Sequence, residues 1–189
     1  MKALLLPGSR RENSLNRRLL DAIAANLEVE GVEVDRVVPG DLVAPLYDGD
    51  LEDSDGVPES IKALNQRMRA ADALVVVTPE YNGFFPALLK NTLDWMSRKT
   101  GGESGTAVFA DKPALILAAS PGGRGGMRAL PHLRLQLGNL GLNVYRQQLG
   151  VGGAGKVLGD GGEVLDEGLS GQLADLARNF TGFARKLAG

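Results

Sequence analysis

Three polar loops in this sequence carry residue types suited to binding a planar ligand that bears a phosphate. The first loop spans 8–16 and follows a short apolar run. Ser9, Ser14 and Asn16 supply short polar side chains, and Arg11 supplies a guanidinium that can pair with a phosphate. A helix starting at the end of the loop would add backbone N–H groups that lack helical acceptors and favour an anion. The first loop therefore predicts a phosphate site.

The glycine content of this loop indicates which kind of phosphate group the loop could bind. A dinucleotide fingerprint needs three glycines spaced as G-x-G-x-x-G, whereas this loop contains only Gly8. The Gly-Lys-Ser/Thr sequence of a nucleoside-triphosphate loop is also missing. A terminal phosphate monoester thus fits better than a pyrophosphate. The alternative is that Asn13 or Ser14 simply caps the helix, and the local sequence favours neither interpretation.

The second loop spans 78–85 and contains the segment Pro79-Glu80-Tyr81-Asn82-Gly83. Its backbone donors are suited to the polar edge of a flavin ring, where reduction places negative charge. Tyr81 or Phe84 could form an apolar wall beside such a ring, and Gly83 permits a tight turn. In the alternative interpretation, Tyr81 is a partly buried surface aromatic residue and Pro79-Glu80 only leads into a helix.

The third loop spans 120–126 and has four glycines. Glycine lets the main chain pass close to a flat ring, so Ser120, Gly122 and Gly123 are candidates for ring contacts. Arg124 would balance charge there. The alternative is that this loop is a hinge without a ligand. This interpretation is less favoured, because all three loops follow strands and suit the same ligand.

The elements between these loops alternate between buried strands and helices. Apolar runs and helical spacing predict strands over 3–6, 32–38, 73–77, 113–119 and 143–149, and helices over 16–27, 59–71, 86–98, 127–140 and 163–188. The acidic segment 39–58 and the glycine-rich segment 150–162 are predicted to be loops. Five alternations predict an α/β, flavodoxin-like three-layer sandwich, with a five-stranded parallel sheet in the order 2-1-3-4-5 and helices on both faces. Ligands bind at the carboxyl ends of such strands.

Composition limits the classes of protein and the kinds of site that are compatible with this sequence. The 189 residues suit a single flavodoxin-like domain over 1–189, and the net charge of -2 does not favour nucleic-acid binding. The absence of cysteine excludes disulfides, thiolate metal sites and a cysteine nucleophile. No apolar run predicts a membrane span or a signal peptide, so a cytoplasmic location is expected. The only histidine, His132, predicts neither a metal site nor a catalytic triad, and Trp95 is expected to pack internally.

Three motifs in this order resemble the NADPH-dependent FMN reductase family, which includes flavodoxin-like quinone, chromate and azo-dye reductases. The resemblance covers the chain from the first strand to about residue 149. The first motif is Gly8-Ser9-x-Arg11-x-x-Ser14-x-Asn16, and the third is Ser120-Pro121-Gly122-Gly123. The second motif is Pro79-Glu80-Tyr81-Asn82-Gly83, followed by Pro86, Leu89-Lys90-Asn91 and Asp94-Trp95. Relatives often have serine at the position of Phe84 and glycine at that of Ala87. These departures affect the expected substrate range and the nicotinamide preference, but not the expectation that FMN is bound.

The resemblance implies non-covalent FMN, NAD(P)H as hydride donor, and a homodimer or homotetramer. It also implies that the first loop holds the FMN phosphate and that the other two loops flank the ring. The expected FMN-binding residues are Ser9, Arg11, Ser14, Leu15, Asn16, Pro79, Glu80, Tyr81, Asn82, Gly83, Ser120, Gly122, Gly123 and Arg124.

The leading functional hypothesis is an FMN-dependent NAD(P)H oxidoreductase. Its electron acceptor would be a small molecule such as a quinone, free flavin, azo dye or metal oxyanion. No residue is assigned as a catalytic acid or base, because the flavin itself accepts the hydride. The alternatives are a flavodoxin-like electron carrier without its own NAD(P)H turnover, and an interaction domain that has lost the cofactor.

Overall fold

The computed structural model describes residues 1–187 and contains a parallel β-sheet covered by helices on both faces. Its strands are β1 (Lys2–Pro7), β2 (Glu33–Arg36), β3 (Ala73–Thr78), β4 (Pro113–Ala119), β5 (Asn143–Val144) and β6 (Leu149–Val151). Its α-helices are α1 (Leu15–Val29), α2 (Gly49–Asp55), α3 (Glu59–Ala70), α4 (Ala87–Met96), α5 (Ala129–Asn139), α6 (Ala154–Val157) and α7 (Glu167–Leu187). Short 3₁₀ helices occupy Pro39–Leu42 and Gly105–Val108.

The sheet has the strand order β2-β1-β3-β4-β5, and β6 also pairs with β4. Every pair is parallel; for example, Leu5 lies opposite Val75, which lies opposite Leu115. The predicted flavodoxin-like order is therefore confirmed, with a sixth strand in addition. Because β1, β3 and β4 are neighbours, the three predicted loops leave the sheet side by side at the same edge.

Alternating side chains of the central strands fill two hydrophobic cores. Leu4 and Leu6 of β1 pack into the core that contains residues of α3, α4 and α5. Leu5 packs into the core on the opposite face, which contains residues of α1 and α7. This follows from the two-residue period of a strand, and burial on both faces explains why these runs are uniformly apolar. Strand β2 lies at the edge of the sheet and is more exposed.

The prediction that 39–58 is entirely loop is wrong, because this segment contains a 3₁₀ helix and α2. The side chain of Asp48 caps α2, and its Oδ1 accepts a hydrogen bond of 2.8 Å from the backbone of Asp50. Acidic residues in the first turn further favour this short helix. The aspartates that indicated a loop thus start a helix.

The prediction of one continuous fifth strand over 143–149 is also wrong. The structure has two short strands, β5 and β6, that pair with opposite ends of β4. Between them, the guanidinium of Arg134 donates hydrogen bonds to the carbonyls of Val144 and Tyr145 and to the side chain of Gln148. The guanidinium of Arg134 thus occupies backbone carbonyls at the point where the pairing of β5 with β4 ends.

The segment 150–162 is more ordered than a glycine-rich loop, because it contains the end of β6 and all of α6. The last helix starts at Glu167, four residues later than predicted, so that Leu165 lies before the helix and is exposed. The predicted end of this helix at Ala188 lies outside the described residues.

Other features agree with the sequence analysis. Helices α1, α3, α4 and α5 lie within two or three residues of their predicted bounds. Trp95 is fully buried, and its Nε1 donates a hydrogen bond of 2.8 Å to the carbonyl of Pro45. None of the helices within residues 1–187 combines the length and the apolar character that crossing a membrane requires.

Gly8 ends β1 in a position that leaves no room for a side chain. Its N–H donates to Val77, and a Cβ atom would lie 2.9 Å from the backbone Cα of Thr78. We expect Gly8→Ala to lower the free energy of unfolding by about 1–3 kcal/mol, as overpacking does in other tight sites. Chemical denaturation measures this value. Gly40→Ala is the control, because a Cβ there meets nothing within 4 Å, and equal effects of both substitutions would contradict the prediction.

Candidate functional site

A cleft of about 420 Å³ lies at the carboxyl ends of β1, β3 and β4. Nine of the residues predicted from the sequence line this cleft together, which are Ser9, Arg11, Ser14, Leu15, Asn16, Pro79, Glu80, Tyr81 and Ser120. Asn13, Ala119 and Pro121 complete the lining. All three loops therefore contribute to a single cleft.

The other predicted site residues do not line the cleft. Asn82 and Gly83 form the tip of a turn next to it, and Gly122, Gly123 and Arg124 lie in the exposed part of the third loop. A Cβ atom at Gly122 or Gly123 would meet no other atom within 4 Å. The protein alone therefore does not require glycine at these two positions.

The amino terminus of α1 faces the cleft without a side-chain cap. Ser14 is the N-cap residue of this 15-residue helix, but its side chain makes no capping hydrogen bond and no acidic residue lies in the first turn. Ser14 and Ser9 are both at least 95% buried. A helix end without a cap or an acidic residue keeps its partial positive charge available to an anion. The alternative that Ser14 simply caps the helix is thus not what the structure shows.

Asn16 connects the first loop to the end of β4. Its Nδ2 donates 3.0 Å to the carbonyl of Ala119, and its Oδ1 accepts 2.8 Å from the N–H of the same residue. The side chain is buried and satisfies both backbone groups of a strand end. Asn16 therefore sets the position of α1 relative to β4, while its side-chain amide is engaged within the protein.

The second loop is a tight turn that presents two aromatic residues. Tyr81 and Phe84 exchange backbone hydrogen bonds of 2.9 and 3.0 Å, and Asn82 and Gly83 have φ of 52° and 85°. Positive φ at both central residues is typical of a type I′ turn, for which Asn-Gly is the preferred sequence. Tyr81 and Phe84 lie directly opposite each other across the turn, and both are exposed.

Phe84 and Phe85 differ in environment. Phe85 is buried, whereas Phe84 is 43% exposed and packs between Phe85 and the ring of His132, with both ring centroids 4.5 Å away. Phe85 therefore belongs to the core, whereas Phe84 is exposed beside the turn and does not line the cleft.

An ion pair that sequence reasoning missed connects the second loop to α5. The carboxylate of Glu80 accepts hydrogen bonds from the backbone N–H of Arg128 at 2.9 Å and from its Nε at 2.6 Å. Burial raises the pKa of Glu80, but the hydrogen bonds and charge of Arg128 outweigh burial and hold the pKa below its ordinary value. The pair thus stabilises the fold above the ordinary carboxyl pKa, and this stabilisation is lost as the pH falls through the lowered pKa.

The glycine-rich third loop, 120–126, packs against the glycine-rich segment 150–162. A Cβ atom at Gly125 would lie 2.6 Å from the backbone of Gly150, and one at Gly150 would lie 2.7 Å from the carbonyl of Gly125. The carbonyl of Ser120 also accepts a hydrogen bond from Ala154, the first residue of α6. The segment that was predicted to be a flexible loop therefore supports the third loop of the site.

A second cleft of about 580 Å³ adjoins the first. The two clefts share Ser9, Arg11 and Tyr81. Arg10 and the segment Pro86–Leu88 contribute only to the second cleft. A ligand in the first cleft would therefore be accessible to a second molecule from this side.

Comparison with known proteins agrees with this geometry. The family model described as NADPH-dependent FMN reductase matches residues 1–156. The quinone reductase of Escherichia coli strain K12 is 38% identical over 183 residues, which cover 92% of each chain. The chain belongs to the NADPH-dependent FMN reductase family. A family protein from Oryza sativa subsp. japonica, named probable NADPH:quinone oxidoreductase 2, is 32% identical over all of this chain and 91% of its own length.

Comparison with solved structures also indicates an oxidoreductase with a flavodoxin-like fold. The flavoenzyme NAD(P)H:(acceptor) oxidoreductase FerB from Paracoccus denitrificans superposes with a TM-score of 0.84 at 27% identity, over 98% of this chain and 97% of its own. A flavodoxin from the domain Archaea, at 13% identity and a TM-score of 0.59, shares the fold. The predicted family and class of enzyme are confirmed: the protein is an FMN-dependent NAD(P)H oxidoreductase, with FMN as cofactor and NAD(P)H as co-substrate.

The contacts of Asn16 predict a specific loss of stability. We expect Asn16→Ala to lower the free energy of unfolding by about 1–3 kcal/mol, because both buried backbone groups of Ala119 would lose their partner. Thermal or chemical denaturation of the protein without FMN measures this change. Asn179→Ala, at an exposed position on α7, is the control. An Asn16 variant as stable as this control would contradict the structural role of the amide.

Proposed function

We propose that this reductase passes electrons from NAD(P)H through FMN to a quinone, and that the cleft between the three loops is its FMN site. The uncapped amino terminus of α1, with the buried hydroxyl of Ser14 beside it, carries the proposal because it is suited to a phosphate. The quinone assignment is supported by the names of the Escherichia coli and Oryza relatives. Free flavins, azo dyes and metal oxyanions are the competing acceptors.

The phosphate end of FMN fits the first loop. Ser9 and Ser14 are buried residues of the cleft lining that carry hydroxyl groups, and Arg11, which also lines the cleft, carries a guanidinium. Within residues 1–187, the side chain of Ser9 has one hydrogen bond, which its oxygen accepts at 3.3 Å from the N–H of Arg11. These groups would hold a phosphate monoester by charge and by hydrogen bonds, together with the backbone N–H groups at the start of α1.

The ring end of FMN fits the second and third loops. Pro79 and Tyr81 give the cleft apolar surface, and the backbone around Glu80 lies at the carboxyl end of β3. Gly122 and Gly123 leave open space where a side chain would otherwise stand. We propose that these two glycines approach the ring, while Asn82 and Gly83 act by setting the turn that presents Tyr81.

The residues of this site position reactants and need not transfer protons themselves. Bound FMN supplies the redox chemistry, because its ring accepts a hydride and returns two electrons to an acceptor. The adjoining cleft would admit NAD(P)H and then the acceptor to the same side. Tyr81, which lines this cleft, would offer aromatic surface to a planar quinone there. The hydrogen that NAD(P)H supplies as hydride, together with one proton from solvent, would complete the hydroquinone.

The phosphate assignment predicts different effects of two neighbouring arginines. We expect Arg11→Ala to weaken FMN binding about 10- to 100-fold, as for the loss of a charged hydrogen bond. Titration of the protein without FMN, followed by flavin fluorescence, measures this change. Arg10→Ala is the matched control, because Arg10 does not line the first cleft. Unchanged affinity in the Arg11 variant, or an equal loss in the control, would contradict the assignment.

An anaerobic experiment tests the function itself. We expect the yellow FMN-loaded protein to bleach when NADPH or NADH is added. Equal concentrations of a benzoquinone, free FMN, an azo dye and chromate are then compared, and the quinone is expected to restore the colour fastest. Colour that persists with both nucleotides but is lost with dithionite would indicate an electron carrier. Faster reoxidation by another acceptor would reject the quinone assignment.

We also propose a homodimer or homotetramer located in the cytoplasm. The exposed side chains of Leu46, Tyr81, Phe84 and Met127 support self-association, since large exposed apolar residues favour contact between chains. Cytoplasmic location is supported by the requirement for NAD(P)H. Light scattering of the purified protein would give its mass, and cell fractionation would test its location.

A further inference from the structure

We infer that Arg128 is a positioning residue of the flavin site, which holds Glu80 and neutralises its charge beside the ring. The inference rests on the proposed FMN cleft. It goes beyond that proposal because Arg128 does not itself line the cleft but contacts Glu80, which does. Neither the motif that contains Glu80 nor the glycine-rich third loop indicates this pair.

The contact between the two residues has two components. The guanidinium of Arg128 reaches the carboxylate with Nε at 2.6 Å and Nη2 at 2.5 Å, and its backbone N–H donates at 2.9 Å. The side chain of Glu80 is 8% exposed, whereas that of Arg128 is 58% exposed. The carboxylate is therefore the buried partner, and it depends on Arg128 because a buried charge without a partner is costly.

The location of the pair makes its charge relevant to the flavin. Glu80 lines the cleft from the end of β3, between Pro79 and Tyr81. Reduction of FMN adds negative charge to the ring, so an unpaired carboxylate in this cleft would disfavour the reduced form. Arg128 removes this repulsion while keeping its own bulk outside the cleft. The amino terminus of the 11-residue helix α5, where Arg128 is the N-cap residue, adds partial positive charge on the same side.

A second contact holds the other end of the same turn. The ring of Phe84 stacks on His132, with centroids 4.5 Å apart. Arg128 and His132 are four residues apart and thus lie on the same face of α5. Glu80 and Phe84 are likewise four residues apart, on either side of the Asn82-Gly83 turn. The turn that presents Tyr81 is therefore attached to one helix face at both ends, by an ion pair and by an aromatic stack.

The inference is tested on the FMN-loaded protein with Arg128→Gln. We expect the ratio of its affinities for reduced and oxidised FMN to fall about tenfold, which is about 30 mV in the midpoint potential of a two-electron couple. Arg178→Gln is the matched control, since Arg178 is a 61% exposed, carboxylate-paired residue on α7. It changes the net charge equally and is expected to leave the potential unchanged.

The double variant Glu80→Gln/Arg128→Gln separates charge from structure. Because both charges are removed, its potential should return towards that of the original protein. Glu80→Gln alone should raise the potential, and this measurement stands even if Arg128→Gln does not fold. A double variant as impaired as Arg128→Gln, or a potential unchanged in both single variants, would overturn the inference.

Variants of His132 test the second contact. We expect His132→Phe to retain the stack and the FMN affinity of the original protein, and His132→Ala to weaken FMN binding severalfold. Equal affinities of the two variants would show that the stack does not position the turn. Failure of the proposed FMN site would be distinguishable, because Arg11→Ala would then leave the FMN affinity unchanged.

Discussion

The site depends on the parallel pairing of β1, β3 and β4, whose carboxyl ends meet at one edge of the sheet. Each of these strands is buried on both faces, so their relative positions are determined by two cores at once. Gly8 and Asn16 extend this alignment into the loops, by contacts to the ends of β3 and β4. The cleft therefore has rigid walls although loops line it.

Two helices have their amino termini near this edge of the sheet, and they differ in whether a carboxylate is bound at the terminus. Helix α1 begins without an acidic residue or a side-chain cap, so its partial positive charge remains available. At α5, the buried carboxylate of Glu80 already accepts a hydrogen bond from the backbone N–H of the N-cap residue, Arg128. An anion is thus favoured at the amino terminus of α1 over that of α5.

Much of the fold and the loop content of the site could be predicted from the sequence. Uniform apolar runs identified β1, β3 and β4, and the Asn82-Gly83 pair identified a tight turn, because both signals are local. The split of the last strand could not be predicted in this way, since Arg134, which contacts the backbone at the split, belongs to α5. The acidic segment 39–58 was wrongly predicted to be a loop, because aspartate is common both in loops and at the starts of helices.

The sequence by itself determined the family, the parallel sheet and which loops form the cleft. Only the tertiary structure decided how these loops are held. Asn16 and Ala119 are 103 positions apart, and Glu80 and Arg128 are 48 apart. Such pairs have no local signature, because the contact exists only after strands and helices have packed. For the same physical reason, the packing of α5 beside the second loop gave a role to His132, which as a lone histidine indicated no chemistry.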